Sequence, residues 1–447
     1  MLGKVGGPLL IALLASVLVG QLVRIPVLSN DVKSAPLMPL DLTVLLLCFA
    51  VAVRLALSPA RFRVGRSSTP ILAFALWGLA GNLVTAAQYD LTLNQLVFST
   101  TYLLRWVAYA GVYWWALQRF RTADAVVSGI RALVLAITVF SVFGIIQSVF
   151  LPDFAFIVYP DAVPYVTWDP QGNRLVSTFL DPNLAGCLVG IGFLFVVSEV
   201  GSGKRWTRVR LGILMGALFA TASRGAWLGT FVGMLVVLLR LNRTERRRLA
   251  VALVQTGTVA LILVISLTLL RGENPLGALA SFLESYNKLT IVDESSVTRI
   301  LQWAVGLEVL AQHPLKGVGF NSWGFVQQYF GVSRVDNASF GLDGGVLFIA
   351  VLTGSVGLGL FLMILWTPWR NARKLSRQGG DSAYLGSAIS GSLVLWVVQG
   401  FFVATLTYAH LLAVMWLLFA WVETLASEEC DVEWTPPGSI RSSSLTG

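Results

Sequence analysis

The chain has 447 residues, 56% of them hydrophobic and only 12% charged, with a mean hydropathy of +0.75. A chain so poor in polar side chains cannot wrap a single core in water, which excludes a soluble domain and implies an integral membrane protein. Its net charge of +9 falls in short clusters between apolar runs, where it reads as topology signals; no basic patch with interleaved aromatics is present, so nucleic acid is not an expected partner.

About 20 apolar residues make one crossing. On that measure spans are predicted at 7–28, 39–58, 70–87, 96–117 and 126–150, then at 178–200, 209–222, 226–240, 250–270, 344–366, 384–406 and 409–425. The run at 7–28 is too long for a signal-peptide core and is soon followed by another, so it reads as a retained span. The predictions at 209–222 and 226–240 are short, and a broken hairpin or tilted pair is the alternative there. The fold class expected is therefore all-α integral membrane, a polytopic bundle of about twelve transmembrane helices with a large extracytoplasmic loop containing surface helices.

Orientation follows from the basic clusters, which gather on the cytoplasmic side of short loops. Arg61, Arg63 and Arg66 follow the second span, Arg119 and Arg121 the fourth, and Lys204, Arg205, Arg208 and Arg210 the sixth. Arg243, Arg246, Arg247 and Arg248 follow the eighth, and Arg370, Arg373, Lys374 and Arg377 the tenth. The alternation places both termini in the cytoplasm and the segments 151–177 and 271–343 outside. Within the second, residues 295–312 carry Ile300, Trp303, Ala304, Leu307 and Leu310 at helical spacing, predicting an amphipathic helix at the membrane surface or packed on the bundle. The chain divides into N-terminal spans and the first outer loop (1–176), a second group of spans (177–270), the large loop (271–343), C-terminal spans (344–426) and a tail (427–447) whose composition predicts disorder.

Cys48, Cys187 and Cys430 are far apart, giving neither a disulfide framework nor a zinc spacing, and with only His313 and His410 a histidine-based metal site is not expected. Arg224 and Arg299 stand out because they lie on the outer side, against the charge bias of the other loops. Arg224 sits in a tight Ser-Arg-Gly turn, which suits bidentate capture of phosphate oxygens; snorkelling to headgroups is the alternative. Arg105 lies inside the fourth span, where a charge is costly and marks either a functional site or a structural ion pair. Arg54 is explained by snorkelling. Asp343, beside glycines at the start of the tenth span, could remove a proton from a sugar hydroxyl or cap the helix, and the two roles are compatible.

Four segments carry a resemblance to a known family. They are Ser177-Thr-Phe-Leu-Asp-Pro-Asn-Leu-Ala-Gly186, Ser223-Arg-Gly-Ala226, Arg299-Ile-Leu-Gln-Trp303 continuing to His313-Pro-Leu-Lys-Gly-Val-Gly-Phe320, and Asp343-Gly-Gly-Val-Leu continuing to Thr353-Gly-Ser-Val-Gly357. Their order and spacing resemble the O-antigen ligase and O-antigen polymerase superfamily of bacterial envelope glycosyltransferases. Ligases of that family generally place His-Asn where this chain has Asp343-Gly344, so the aspartate is closer to polymerase-like members and is similar to that of the shape and division type of peptidoglycan polymerase; Asp336-Asn337 is an alternative match.

The resemblance implies an inverting glycosyl transfer in the bacterial inner membrane, with neither metal nor soluble cofactor. Arg224 and Arg299 would stabilise the leaving undecaprenyl diphosphate, Asp343 would deprotonate the acceptor, and Arg105 and Asn183 would line the substrate path. Pro182, Gly317 and Gly319 would shape loops. The partners implied are an undecaprenyl-diphosphate-linked glycan donor, a glycan or lipid acceptor, membrane lipids and a chain-length regulator. A secondary transporter or lipid-linked glycan flippase is the alternative from another class, since twelve spans with inside termini suit it equally.

Overall fold

The computed structural model describes residues 2–29, 34–159, 174–199, 205–270, 294–331, 342–378 and 380–427. The tail beyond 427, residues 271–293 and 332–341 of the large loop, and residues 160–173 of the first loop lie outside them. The chain begins with α1 (Leu2–Val19), then a short antiparallel hairpin of β1 (Ile25–Ser29) and β2 (Ser34–Leu37), then α2 (Pro39–Leu57), α3 (Ser68–Gln88), α4 (Leu93–Arg119), α5 (Ala123–Phe150) and the short α6 (Phe154–Val158). It continues with α7 (Pro182–Glu199), α8 (Arg205–Ala220), α9 (Arg224–Leu238), α10 (Arg243–Leu270), α11 (Glu294–Gln312), the single turn α12 (Trp323–Val326), α13 (Gly345–Leu375), α14 (Gly380–Gly400) and α15 (Ala409–Ser427).

A helix lies at each predicted span, and α11 coincides with the predicted amphipathic segment. By length and composition, seven helices among the described residues can cross a membrane: α2, α3, α5, α7, α13, Ser382–Gly400 of α14, and α15. Gly7–Val19 and α9 are shorter apolar helices. The protein is thus a helical, multi-pass membrane protein. The first prediction needs correction, because α1 ends at Val19 and 25–28 belong to β1; Gly20 takes φ +59, and its N–H and that of Gln21 turn back onto the carbonyls of Ser16 and Thr178. Although α4 is long, it is absent from the seven because its tyrosines and tryptophans, which suit a bundle interior, score low on hydropathy.

Burial follows the lipid solvent. On α3, Leu72, Leu76, Leu79 and Leu83 form an exposed stripe at alternating spacings of four and three, while Ile71, Phe74, Gly78, Asn82 and Thr85 are buried. The centre is filled by α7 and α15, which are buried almost all round. Small residues bring α9 against α14: a Cβ on Gly233 would meet the Gly391 carbonyl at 2.6 Å, and one on Gly229 would meet the Leu395 carbonyl at 2.9 Å. Close backbone approach of this kind drives association where lipid removes the hydrophobic incentive.

One helix is broken on purpose. In α13, Gly354 takes φ +67 and ψ −172, so the helix kinks after Thr353. The turn from His313 to Phe320 inserts at the kink and supplies partners for the interrupted backbone: Val318 N–H donates to the Val351 carbonyl at 2.9 Å, and Ser355 N–H to the Pro314 carbonyl at 2.8 Å. Trp77 Nε1 on α3 donates to the Thr353 carbonyl at 2.8 Å. A backbone interruption inside a helix persists only where other groups satisfy it, and here three partners do.

Candidate functional site

Asp343 precedes α13, separated from it by Gly344 at φ +101. A Cβ on Gly344 would lie 2.9 Å from the Phe401 carbonyl oxygen and 3.0 Å from Trp303 Nε1, so glycine is what lets the chain pass under α11. Residues 299, 302 and 303 share one face of α11, and all three hold Asp343. Arg299 Nε donates to Asp343 Oδ2 at 3.3 Å, Trp303 Nε1 donates to the Asp343 carbonyl at 2.8 Å, and the Asp343 N–H donates to Gln302 Oε1 at 2.7 Å. The residue capping α13 is Gly344, which has no side chain to cap with, so the Asp343 carboxylate is directed to Arg299 and not spent on the helix. The Asp343 side chain stays 44% exposed and that of Arg299 24%, which leaves the pair open to a substrate.

Arg224 is the first residue of α9 and is exposed. Ser223 caps that helix, its Oγ accepting from Ala226 N–H at 3.3 Å and donating to Asn183 Oδ1 at 2.8 Å. Asn183 stands in the first turn of α7, and its carbonyl accepts from the buried Gln399 Nε2 at 2.6 Å. The stretch after Gln399 joins the two halves of the site. Gly225 packs on Gln399 and Phe402, while Gly344 and Gly345 pack on Phe401 and Val403, with Gly345 N–H donating to the Val403 carbonyl at 3.3 Å. Arg224, Asn183, Asp343 and Arg299 are therefore gathered at one end of the bundle, where the N-termini of α7, α9 and α13 also meet and add partial positive charge.

Two residues that the sequence reading passed over belong here. Arg174 pins the turn before Arg224 by donating from Nε to the Thr221 carbonyl at 2.9 Å and from Nη2 to the Ala222 carbonyl at 3.2 Å. Ala222 carries φ +48, a conformation disfavoured for a residue with a side chain, and Leu175 N–H bonds the Ala220 carbonyl at 2.9 Å beside it. Asp181 caps α7, its Oδ1 accepting from Asn183 N–H at 2.7 Å and Leu184 N–H at 3.0 Å. Burial raises the Asp181 carboxyl above its ordinary range against the pull of those two bonds and of Arg174, and the charge of Asp343 adds to the rise. The Asp-Pro-Asn sequence at 181–183 is a readable helix start; a lone arginine in a loop, such as Arg174, carries no signal.

Arg105 is not joined to this group by any hydrogen bond or ion pair among the described residues. Its Nε and Nη2 grip Asp41 Oδ1 and Oδ2 at 2.7 and 2.8 Å, Tyr109 OH donates to the same carboxylate at 2.9 Å, and Met38 N–H completes the set at 2.8 Å. This is the structural ion pair foreseen as one of its two readings, tying α4 to the start of α2.

Fold and site together define a multi-pass helical membrane protein that presents an arginine–aspartate pair and further polar groups at one end of its bundle. Residues 210–362 match the family model for O-antigen ligase, Wzy_C, a match covering about a third of the chain and running from α8 into α13. It takes in Arg224, Arg299 and Asp343, leaves Arg105 and Asn183 outside, and supports assigning the chain to the O-antigen ligase and polymerase superfamily. That family implies a membrane glycan ligase or polymerase acting on lipid-linked glycans. No curated protein matches the chain.

Proposed function

We propose that this protein transfers glycan from an undecaprenyl-diphosphate-linked donor to a hydroxyl of a glycan or lipid acceptor, at the extracytoplasmic end of the inner membrane and with inversion at the anomeric carbon. The observation that carries this reading is the half-exposed Asp343 carboxylate, held by α11 against Arg299 and structurally linked through residues 399–403 to the Arg224 turn. Asp343 takes the proton of the acceptor hydroxyl as its oxygen bonds to the anomeric carbon. The bond from that carbon to the diphosphate oxygen breaks, and its electron pair leaves on undecaprenyl diphosphate. Arg299 and Arg224 neutralise the charge that grows on the leaving group, an interaction strengthened toward the transition state. Asn183 orients the Arg224 turn through Ser223, Arg105 supports the bundle, and no step calls for a metal.

A transporter or flippase is the competing function, and the break in α13 is the feature that favours it, since transporters build sites from discontinuous helices. Here the break is occupied by the chain's own 313–320 turn, and its carbonyls bond to protein. Purified protein given a synthetic undecaprenyl-diphosphate oligosaccharide in EDTA separates the two. Formation of elongated or acceptor-linked glycan supports transfer; absence of product together with movement of the lipid across liposomes assigns a flippase.

A further inference from the structure

A second patch of sugar-compatible chemistry lies where α3 ends beside the turn that follows α11. Tyr89 OH and His313 Nε2 are hydrogen bonded at 2.8 Å, and the Tyr89 ring packs on Tyr329 at 5.0 Å between centroids. Phe330 sits 6.2 Å from Tyr89 and 5.8 Å from His313, and stacks on the fully buried Trp323 at 6.2 Å and 17°. Lys316 Nζ donates to Gln88 Oε1 at 2.6 Å along one edge. Tyr329 is 57% exposed, so the assembly keeps an aromatic side chain accessible while the Lys316–Gln88 pair lies next to His313 and Tyr89 in the chain. Tyrosines also collect at membrane interfaces as anchors; these rings are in addition fixed to one another, to a histidine and to a buried tryptophan.

We propose that Tyr89, Tyr329, His313, Lys316 and Gln88 form a glycan-binding subsite that holds the saccharide at a distance from the reacting end. The negative ring face of Tyr329 receives the apolar C–H face of a pyranose, and Lys316, Gln88 and His313 bond its hydroxyls. Burial and the neighbouring Lys316 both lower the His313 pKa, so its ring is neutral and offers an acceptor or a donor. The position follows from α11: His313 lies 14 residues beyond Arg299 on one continuous helix and turn, about 21 Å along the axis at 1.5 Å per residue. That separation suits an oligosaccharide whose reacting end is at Asp343, so the proposal rests on the transferase reading.

The test measures binding without turnover. Detergent-purified protein carrying Asp343→Asn is applied to an array of bacterial polysaccharide fragments from one to eight sugars, alone and with Tyr329→Ala, Tyr329→Phe or Lys316→Ala added. The expected result is retention of a subset of the longer fragments, weakened about tenfold by Tyr329→Ala, less by Lys316→Ala, and kept by Tyr329→Phe. Retention of no fragment, or equal retention with Tyr329→Ala, overturns the subsite. Equal retention combined with a melting temperature lowered only in lipid nanodiscs would make the patch a lipid anchor. Binding that survives in a protein found to have no transfer activity would defeat the transferase reading and leave the glycan subsite standing.

Discussion

Gly354→Ala should unlock the two motifs that meet at the kink in α13. At φ +67 and ψ −172 the residue occupies a region open essentially to glycine, where a side chain costs about 1–3 kcal/mol. A Cβ there would overlap the Leu315 carbonyl and lie 2.5 Å from Lys316 N, so the inserted turn must withdraw. Withdrawal loses the bonds from Val318 N–H to Val351 and from Ser355 N–H to Pro314, each worth about 1 kcal/mol net. The sum is about 3–5 kcal/mol of destabilisation. Gly359→Ala in the same helix is the control, because nothing lies within 4 Å of its added Cβ and alanine favours a helix interior by about 1 kcal/mol. Thermal unfolding in one detergent should show Gly354→Ala melting well below the parent and Gly359→Ala at or above it. Equal melting of Gly354→Ala and the parent would refute the interlock.

Arg174→Ala should free the carbonyls of Thr221 and Ala222, speed hydrogen exchange at Ser223–Trp227, and lower kcat/KM about 10–100-fold, with Arg174→Lys recovering part; unchanged exchange would count against a positioning role. Arg105→Ala leaves the Asp41 carboxylate buried and unpaired, a loss of about 3–5 kcal/mol, whereas the double change Arg105→Met, Asp41→Leu should melt nearer the parent. His313 is held neutral, so the unfolded chain binds more protons than the folded one. Its contribution is therefore complete above the unfolded value of about 6.5 and is lost as pH falls below it. Melting followed from pH 7 down to about pH 5 should fall less steeply in His313→Gln than in the parent, and parallel curves would contradict the assignment.

Much of the scaffold was legible because lipid imposes one rule, an apolar run long enough to close its own hydrogen bonds. That rule located the helices, yet it overran at 20–28, where Gly20 and a hairpin end α1 while hydropathy stays high. The amphipathic spacing at 295–312 read correctly as a helix, and its 299, 302 and 303 face now explains how Asp343 is held. The contact between the 313–320 and 353–357 motifs was not legible, because interlocking turns leave only glycines in the sequence and glycine does not name its partner. Arg105 was ambiguous for a related reason: an arginine in a span advertises a need, and Asp41, which answers it, lies 64 residues away.

The central claim is that Asp343 and Arg299 perform glycosyl transfer, and steady-state kinetics on purified protein in EDTA test it most directly, with donor varied over wild type, Asp343→Asn and Arg299→Ala. The account predicts that Asp343→Asn loses about 10²–10³ in kcat with little change in donor KM, and that Arg299→Ala lowers kcat and weakens donor binding together. Wild-type kcat in Asp343→Asn would contradict it.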